Sequence, residues 1–262
     1  MNNELIKNAV RCMAVCDAVG ADFEFQESPD ATKVIKKAKY GWLEITDDTQ
    51  MTLFGLDSIL EGYCIERAYS DWYITQVNSF DEFHYVKNRM LQYKDLWNVR
   101  APGFTCMDSM ASIIASGSRD KNNSKGCGSV MRILPCMAIP NITERIDWVK
   151  QSIALTHDHP ENEVAAGILV RAYSGGEFNR SADKITAYGT GWTATEAVDM
   201  ALWAVQNSKT FDELLVNSIC HEGDSDSVAA IAGSIWGLQG KSFDYFDRVV
   251  ESETIEKVLA KM

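Results

Sequence analysis

No two cysteines form a CxxC pair, no apolar run is long, and positive charge is in short supply. The seven cysteines, at 12, 16, 64, 106, 127, 136 and 220, are odd in number and scattered. Such a set reads as reduced thiols and places the chain in a cytoplasm. No stretch approaches the roughly 20 apolar residues of a membrane span. The start, MNNELIKNAV, is amphipathic rather than a charged region leading into an apolar run, so neither secretion nor membrane anchoring is expected. Lys and Arg total 25 against 37 Asp and Glu, a net charge of −12. A nucleic-acid backbone or an anionic membrane needs a basic face, which excludes either as the main partner. Period-two alternation is missing, which leaves little room for strands. With only 5 prolines, helix breakers are few as well.

What is there is helical. Apolar residues make up 46% of 262, enough for a sizeable core in one domain, taken here as residues 1–262. Leu5, Ile6, Ala9, Val10 and Met13 recur at spacings of three and four, as do Leu53, Leu56, Ile59 and Leu60, and Ala197, Ala201, Ala204 and Val205. The same reading predicts helices over 81–97, 107–116, 143–156, 161–173, 211–219, 225–236 and 244–259. The fold class is therefore all-α, a single multi-helix domain without repeats or low-complexity linkers. Thr193 and Glu196 have the spacing of a capping box.

Residues 44–53, EITDDTQMTL, set Asp47 and Asp48 at a helix mouth behind Thr46. Acid there complements the helix dipole by about 0.3–1 kcal/mol, so a charged cap is the simplest reading. The pattern returns in GDSDSVAAIAGSIW, residues 223–236, where Asp224, Asp226 and Ser227 head a helix rich in Ala and Gly. If both mouths face one cavity, four carboxylates meet. Each ionised pair about 4 Å apart repels by about 4 kcal/mol at an effective dielectric near 20. Two divalent cations would balance them. All-oxygen donors, the hydroxyls of Thr46 and Ser227 included, favour Mg²⁺ or Mn²⁺ over Zn²⁺.

The chain resembles the ADP-ribosylglycohydrolase family, which includes the dinitrogenase-reductase-activating glycohydrolases. CDAVGADFE (16–24), TDDTQMTL (46–53), RAPGFTCMDSM (100–110), SKGCGSVMR (124–132), LTHDHP (155–160), GTGWTATEAVDMALWAV (189–205) and EGDSDSVAAIAGSIWG (222–237) occur in family order. The resemblance implies an all-α globule with a binuclear Mg²⁺ or Mn²⁺ centre that hydrolyses the bond between ADP-ribose and an acceptor. By position it makes Thr46, Asp47, Asp48, Asp224, Asp226 and Ser227 the metal ligands, with Asp17 as a support. Glu24 takes the place of the family's mobile acid near the scissile bond. Either Glu24 or Asp224 serves as acid and the other as base. Ser124, Gly126, Cys127, Gly128, Ser129 and His157 fall in regions that hold ADP-ribose. The implied substrate is an ADP-ribosylated protein or small molecule, with nucleic acid entering only as an ADP-ribosylated acceptor. A monomer is expected. A silent ADP-ribose binder is the alternative.

This sequence departs from the family pattern in three places. Cys16 replaces the usual Gly before the first Asp, Glu222 a common Gly, and Ser227 the usual Thr. None deletes a ligand oxygen, but Ser lacks the β-branch that stiffens Thr, and Glu222 adds charge beside the centre. His159 lies on another face from His157 and is not expected to bind metal. His84 and His221 are read as ordinary, Cys12 and Cys16 as small buried residues, and Trp203 as core. GLQGKS (237–242) mimics a P-loop end, but Ile235 stands at the site of the first glycine.

Overall fold

Eleven α-helices form among the described residues, 2–27, 29–83 and 88–262 of a computed structural model. They are α1 Asn3–Gly20, α2 Ala31–Tyr40, α3 Asp47–Glu61, α4 Ile65–Val77, α5 Phe104–Ser116, α6 Ile142–Ala154, α7 Pro160–Tyr173, α8 Ala194–Gln206, α9 Phe211–Ile219, α10 Ser225–Leu238 and α11 Ser252–Leu259. No strand occurs among these residues; two isolated bridges, Leu43 with Val249 and Gly126 with Thr193, are the β pairing recorded. No helix among them is long and apolar enough to cross a membrane.

The core is built round α1 and α10. Every residue of α10 is buried, as expected for a helix apolar on all sides. Small residues let the two helices approach closely. At the C-terminal end of α1, a Cβ on Gly20 would lie 2.7 Å from the Cα of Asp226, so this position is confined to glycine. Ser225 Oγ ties the joint by donating to Gly20 O at 3.1 Å. The second acidic motif is thus fixed against the end of the first helix. α3 starts with Thr46 accepting from the Asp48 N–H at 3.3 Å and stops at Gly62 in the left-handed region.

Several helix expectations need correction. The segment 81–97 is not one helix: its described part holds two 3₁₀ turns, Arg89–Gln92 and Lys94–Trp97, while 84–87, with His84, lie outside the described residues. Trp97 folds back on the rings of Phe80 and Phe83, at 5.5 and 5.1 Å, which turns the segment into a loop. The segment 244–259 breaks at Tyr245, in the left-handed region, and only Ser252–Leu259 is α-helical. Two helices have no counterpart in the periodicity. Within α2 only Val34 and Ala38 are buried among lysines. In α4 the inward face carries Asp71, Thr75 and Gln76 between apolar residues, and Asp71 is paired with Arg67 and Arg89. At Thr193 half a capping box forms. Its hydroxyl accepts from Glu196 N, but the Glu196 carboxylate accepts from Thr190 N instead. The complete box is Thr210 with Glu213. GLQGKS spans the C-terminus of α10, which ends at Leu238, so it presents a helix C-terminus rather than an N-terminus to a phosphate, and Lys241 lies over the Trp236 ring.

Candidate metal centre and substrate cavity

The N-termini of α3 and α10 open into one cavity of about 440 Å³. Its wall includes Glu24, Asp47, Asp48, Asp224, Asp226 and Ser227 together with Gly126, Cys127, Gly128 and His157. Residues 46–48 and 224–227, some 180 positions apart, are brought together. Carboxylate oxygens of Asp17, Asp48 and Asp226 lie within 4.8 Å of one another, and so do those of Glu24, Asp224 and Asp226. Asp226 belongs to both trios.

Such crowding raises proton affinity. Burial comes first in every case. It pushes Asp48 well up, aided by Asp226 and Asp17, and it does the same to Asp226, aided by Asp224 and Glu24. Asp47 rises too, although the Gly103 N–H it accepts opposes the shift. Glu24, half-buried beside Asp224, reaches about 7. Two buried oxygens, Asp48 Oδ2 and Asp226 Oδ1, have no hydrogen-bond partner. Orphaned carboxylate oxygens in a cluster this dense suit divalent cations, which would satisfy the lone pairs and cancel the repulsion.

Asp17 sits behind the centre at 0% exposure. Its carboxylate accepts from Thr46 N at 3.0 Å, Thr46 Oγ1 at 2.6 Å and the Thr49 N–H and hydroxyl. These bonds fix the start of α3, while its place in a trio also brings it near the carboxylate oxygens of Asp48 and Asp226. The Thr46 hydroxyl, donating to Asp17 and accepting from Asp48 N, does not line the cavity but retains a lone pair. Ser227 does line it, and its Oγ donates to Asp48 Oδ1 at 3.3 Å, bridging the two helix mouths. Glu222 is exposed and does not line the cavity, contrary to the expectation of charge beside the centre. Cys16 is buried against Gly233 in the α1–α10 joint.

The glycine loop is a 3₁₀ turn, Cys127–Ser129, held by the Cys127 N–H on Trp192 O at 3.0 Å. Ser124 and Ser129 do not line the cavity; their hydroxyls brace Gly126 N and Gly126 O. A Cβ on Gly126 would lie 3.2 Å from His157 Nε2, so the loop lies directly on the imidazole. His157 is held by its neighbours. Arg132 Nη2 donates to Thr156 Oγ1 at 2.6 Å, and this hydroxyl is hydrogen-bonded to His157 Nδ1 at 2.7 Å. Burial, with Arg132 and Arg119 nearby, lowers His157 to about 3. The ring is neutral and stands on the cavity wall with Nε2 toward the glycine loop. His159 instead caps α7, and His221 bonds to Glu222 O and Ser218 O.

Sequence reasoning missed the cavity's other residues. Phe25 and Trp192, both more than half exposed, meet at 5.7 Å on the cavity wall, and Phe104 is 82% exposed beside them. The Phe25 N–H donates to Gly223 O at 2.8 Å, which ties the Glu24 loop to the second acidic motif. Arg132, fully buried, stacks on Tyr69 and donates to Cys106 Sγ, Ser152 O and Thr156 Oγ1. The only signal for it was its place at the end of SKGCGSVMR. Trp203 packs on the core with its indole N–H on Ala182 O. Cys127 Sγ donates to Asp224 Oδ2 at 2.9 Å, so a thiol stands beside the carboxylates.

A profile of the ADP-ribosylglycohydrolase family matches residues 2–186 and 171–241. The chain is 24% identical over 305 aligned positions to ADP-ribosylarginine hydrolase Tri1 of Pseudomonas putida strain GB-1, covering 98% of this chain and 77% of that protein. It is 23% identical over 310 positions to a protein of Archaeoglobus fulgidus described as uncharacterised, covering 99% and 96%. Among solved structures, an ADP-ribosylglycohydrolase-related protein complex superposes with a TM-score of 0.67 at 18% identity, over 99% of this chain and 96% of that one. At that identity the likeness speaks for the fold alone.

Proposed function

Because the chain belongs to the ADP-ribosylglycohydrolase family, we propose that it hydrolyses the glycosidic bond between ADP-ribose and a modified protein side chain, reversing ADP-ribosylation. The name of the P. putida relative makes arginine the acceptor to test first. The observation that carries this reading is the convergence of two acidic trios with a glycine loop and a neutral histidine on one cavity.

Each element has a task. Breaking the ribosyl C1″ bond builds positive charge on the sugar, which nearby carboxylates stabilise. Glu24, held near neutrality, suits proton transfer: it can protonate the departing group or take a proton from the attacking water. The neutral imidazole of His157 and the backbone beside Gly126 and Gly128 offer polar contacts and close approach to the anionic diphosphate. Two divalent cations, Mg²⁺ or Mn²⁺, held by Thr46, Asp47, Asp48, Asp224, Asp226 and Ser227, would orient the ribose hydroxyls and acidify a water.

The test is a release assay over peptides ADP-ribosylated on arginine or serine, with small-molecule ADP-ribose esters in parallel. It is run with Mg²⁺, Mn²⁺ and chelator. Release from a protein side chain, lost on chelation and in Asp48→Ala and Asp226→Ala, is the expected result. Tight ADP-ribose binding with no release from any substrate overturns it.

A further inference from the structure

A second recess, of about 210 Å³, adjoins the substrate cavity through Ala101, which lines both. Trp42, Val99 and Arg100 are among its walls. A third, of about 450 Å³, shares Asp22 and Lys37 with the second and ends on Lys33, Lys36 and Tyr40. One groove therefore runs from the cavity past Trp42 to α2.

The sequence of α2 explains the far end. Lys33, Lys36, Lys37 and Tyr40 stand at i, i+3, i+4 and i+7 and share one helical face, while Val34 and Ala38 on another face are buried. No acid interrupts this helix, although the chain as a whole carries a charge of −12. The acids around the groove are already engaged. Asp22 is paired with Lys37, Asp212 with Lys39, and Glu44 with Arg100 at 2.8 Å. Asp30, close enough to Lys33 to feel its charge, is held as the cap of α2 by the N–H groups of Thr32 and Lys33. Lys33 and Lys36 are exposed and have no recorded ion pair among the described residues. Between them and the cavity the groove leaves apolar surface in water, with Tyr40 74%, Trp42 71% and Val99 62% exposed. Large aromatics beside a polar rim mark a surface that binds protein. A nucleic acid would need cations along its whole backbone, and here they end with one helix.

We propose that this groove docks the polypeptide that carries the ADP-ribosylated side chain, selecting segments with an apolar residue for Trp42 and Val99 and with Asp or Glu for Lys33 and Lys36. This rests on reading the cavity as one that acts on a modified protein. It specifies the residues around the modified side chain, which the cavity itself does not reach.

The test uses the full-length protein and labelled, unmodified peptides in which leucine and an acidic cluster stand at increasing distances from a central arginine. Binding is read by fluorescence anisotropy. At least one peptide should bind saturably, its basic counterpart should not, and high salt should weaken the complex. Lys33→Glu with Lys36→Glu should cost roughly tenfold in affinity, since two exposed ion pairs worth a few-fold each are lost. The pair Lys33→Gln with Lys36→Gln, which removes charge without reversing it, should cost less, and Trp42→Ala should also weaken binding. With ADP-ribosylated peptides, the charge reversal should raise KM for the acidic peptide by a similar factor and leave kcat, and release from free ADP-ribosylarginine, unchanged. Equal binding of acidic and basic peptides, or unchanged affinity after charge reversal, overturns the proposal. So does an oligonucleotide that outbinds every peptide, or self-association of the protein that charge reversal abolishes, either of which gives the groove another occupant. Charge-dependent peptide binding without release from any substrate refutes the proposed hydrolysis and leaves the groove standing. Equal KM for acidic and basic ADP-ribosylated peptides refutes the groove alone.

Discussion

Replacing Asp226 by Asn should stabilise the metal-free protein while destroying its response to metal. Asp226 is 5% exposed, shares both acidic trios, and leaves Oδ1 without a partner. At 4.8 Å each ionised carboxylate pair repels by about 3–4 kcal/mol at an effective dielectric near 20. Protonation limits that stress. Burial, with Asp224 and Glu24 beside it, raises the group well above its ordinary 3.8, so folding without metal works against its ionisation. Relief of one ionised pair at 4.8 Å bounds the gain at about 3–4 kcal/mol. Water entering the cavity reduces it, and a gain of about 2 kcal/mol is expected for the isosteric amide. At roughly 2–4 °C per kcal/mol in a chain of this size, Tm should rise by about 4–8 °C without metal. The sign is pH-dependent: the penalty exists above the unfolded-state pKa, so the gain should vanish as pH falls toward about 4. Thermal melts of wild type and Asp226→Asn in chelator and in Mg²⁺, at several pH values, provide the check. A lower metal-free Tm for the mutant, or an undiminished Mg²⁺-induced shift, refutes the reasoning.

Three further outcomes are expected. His157 drops to about 3 on folding from 6.5, so stability is complete above about pH 6.5 and is lost as pH falls; near pH 4.5 the loss is about 3 kcal/mol, and denaturant melts of His157→Gln should lack this acid limb. Glu24→Gln should lower kcat by about 10²–10⁴ and remove the inflection of the pH–rate profile near 7, with an unchanged profile counting against Glu24 as the proton carrier. Gly20→Ala places a Cβ 2.7 Å from Asp226 Cα, so it should cost about 1–3 kcal/mol and weaken Mg²⁺ binding, despite alanine's better helix propensity; neutral behaviour in melts and titrations would mean that the α1–α10 joint yields.

Much of this was legible along the chain, for reasons particular residues make plain. Helices such as α9 and α10 appear wherever apolar residues keep a period of three and four, because one burying face is a local property. α2 escaped because a lysine-rich helix needs only Val34 and Ala38 to dock, and α4 because Asp71 is buried on ion pairs rather than excluded. Thr46 and Asp224 were readable as helix starts, since a cap is satisfied within three residues.

The sequence by itself determined the helical class, the acid at two helix mouths and the family motifs, all of which rest on short-range spacing and on residue chemistry. The tertiary structure alone decided that Asp17, Asp48 and Asp226 share one cluster, that His157 turns Nε2 to the glycine loop, and that the thiol of Cys127 stands against Asp224. Those facts depend on helices far apart in the chain meeting at a glycine-tight joint. Electrostatic repulsion and ligand distance are functions of position in space, and sequence spacing carries no information about either across 180 residues.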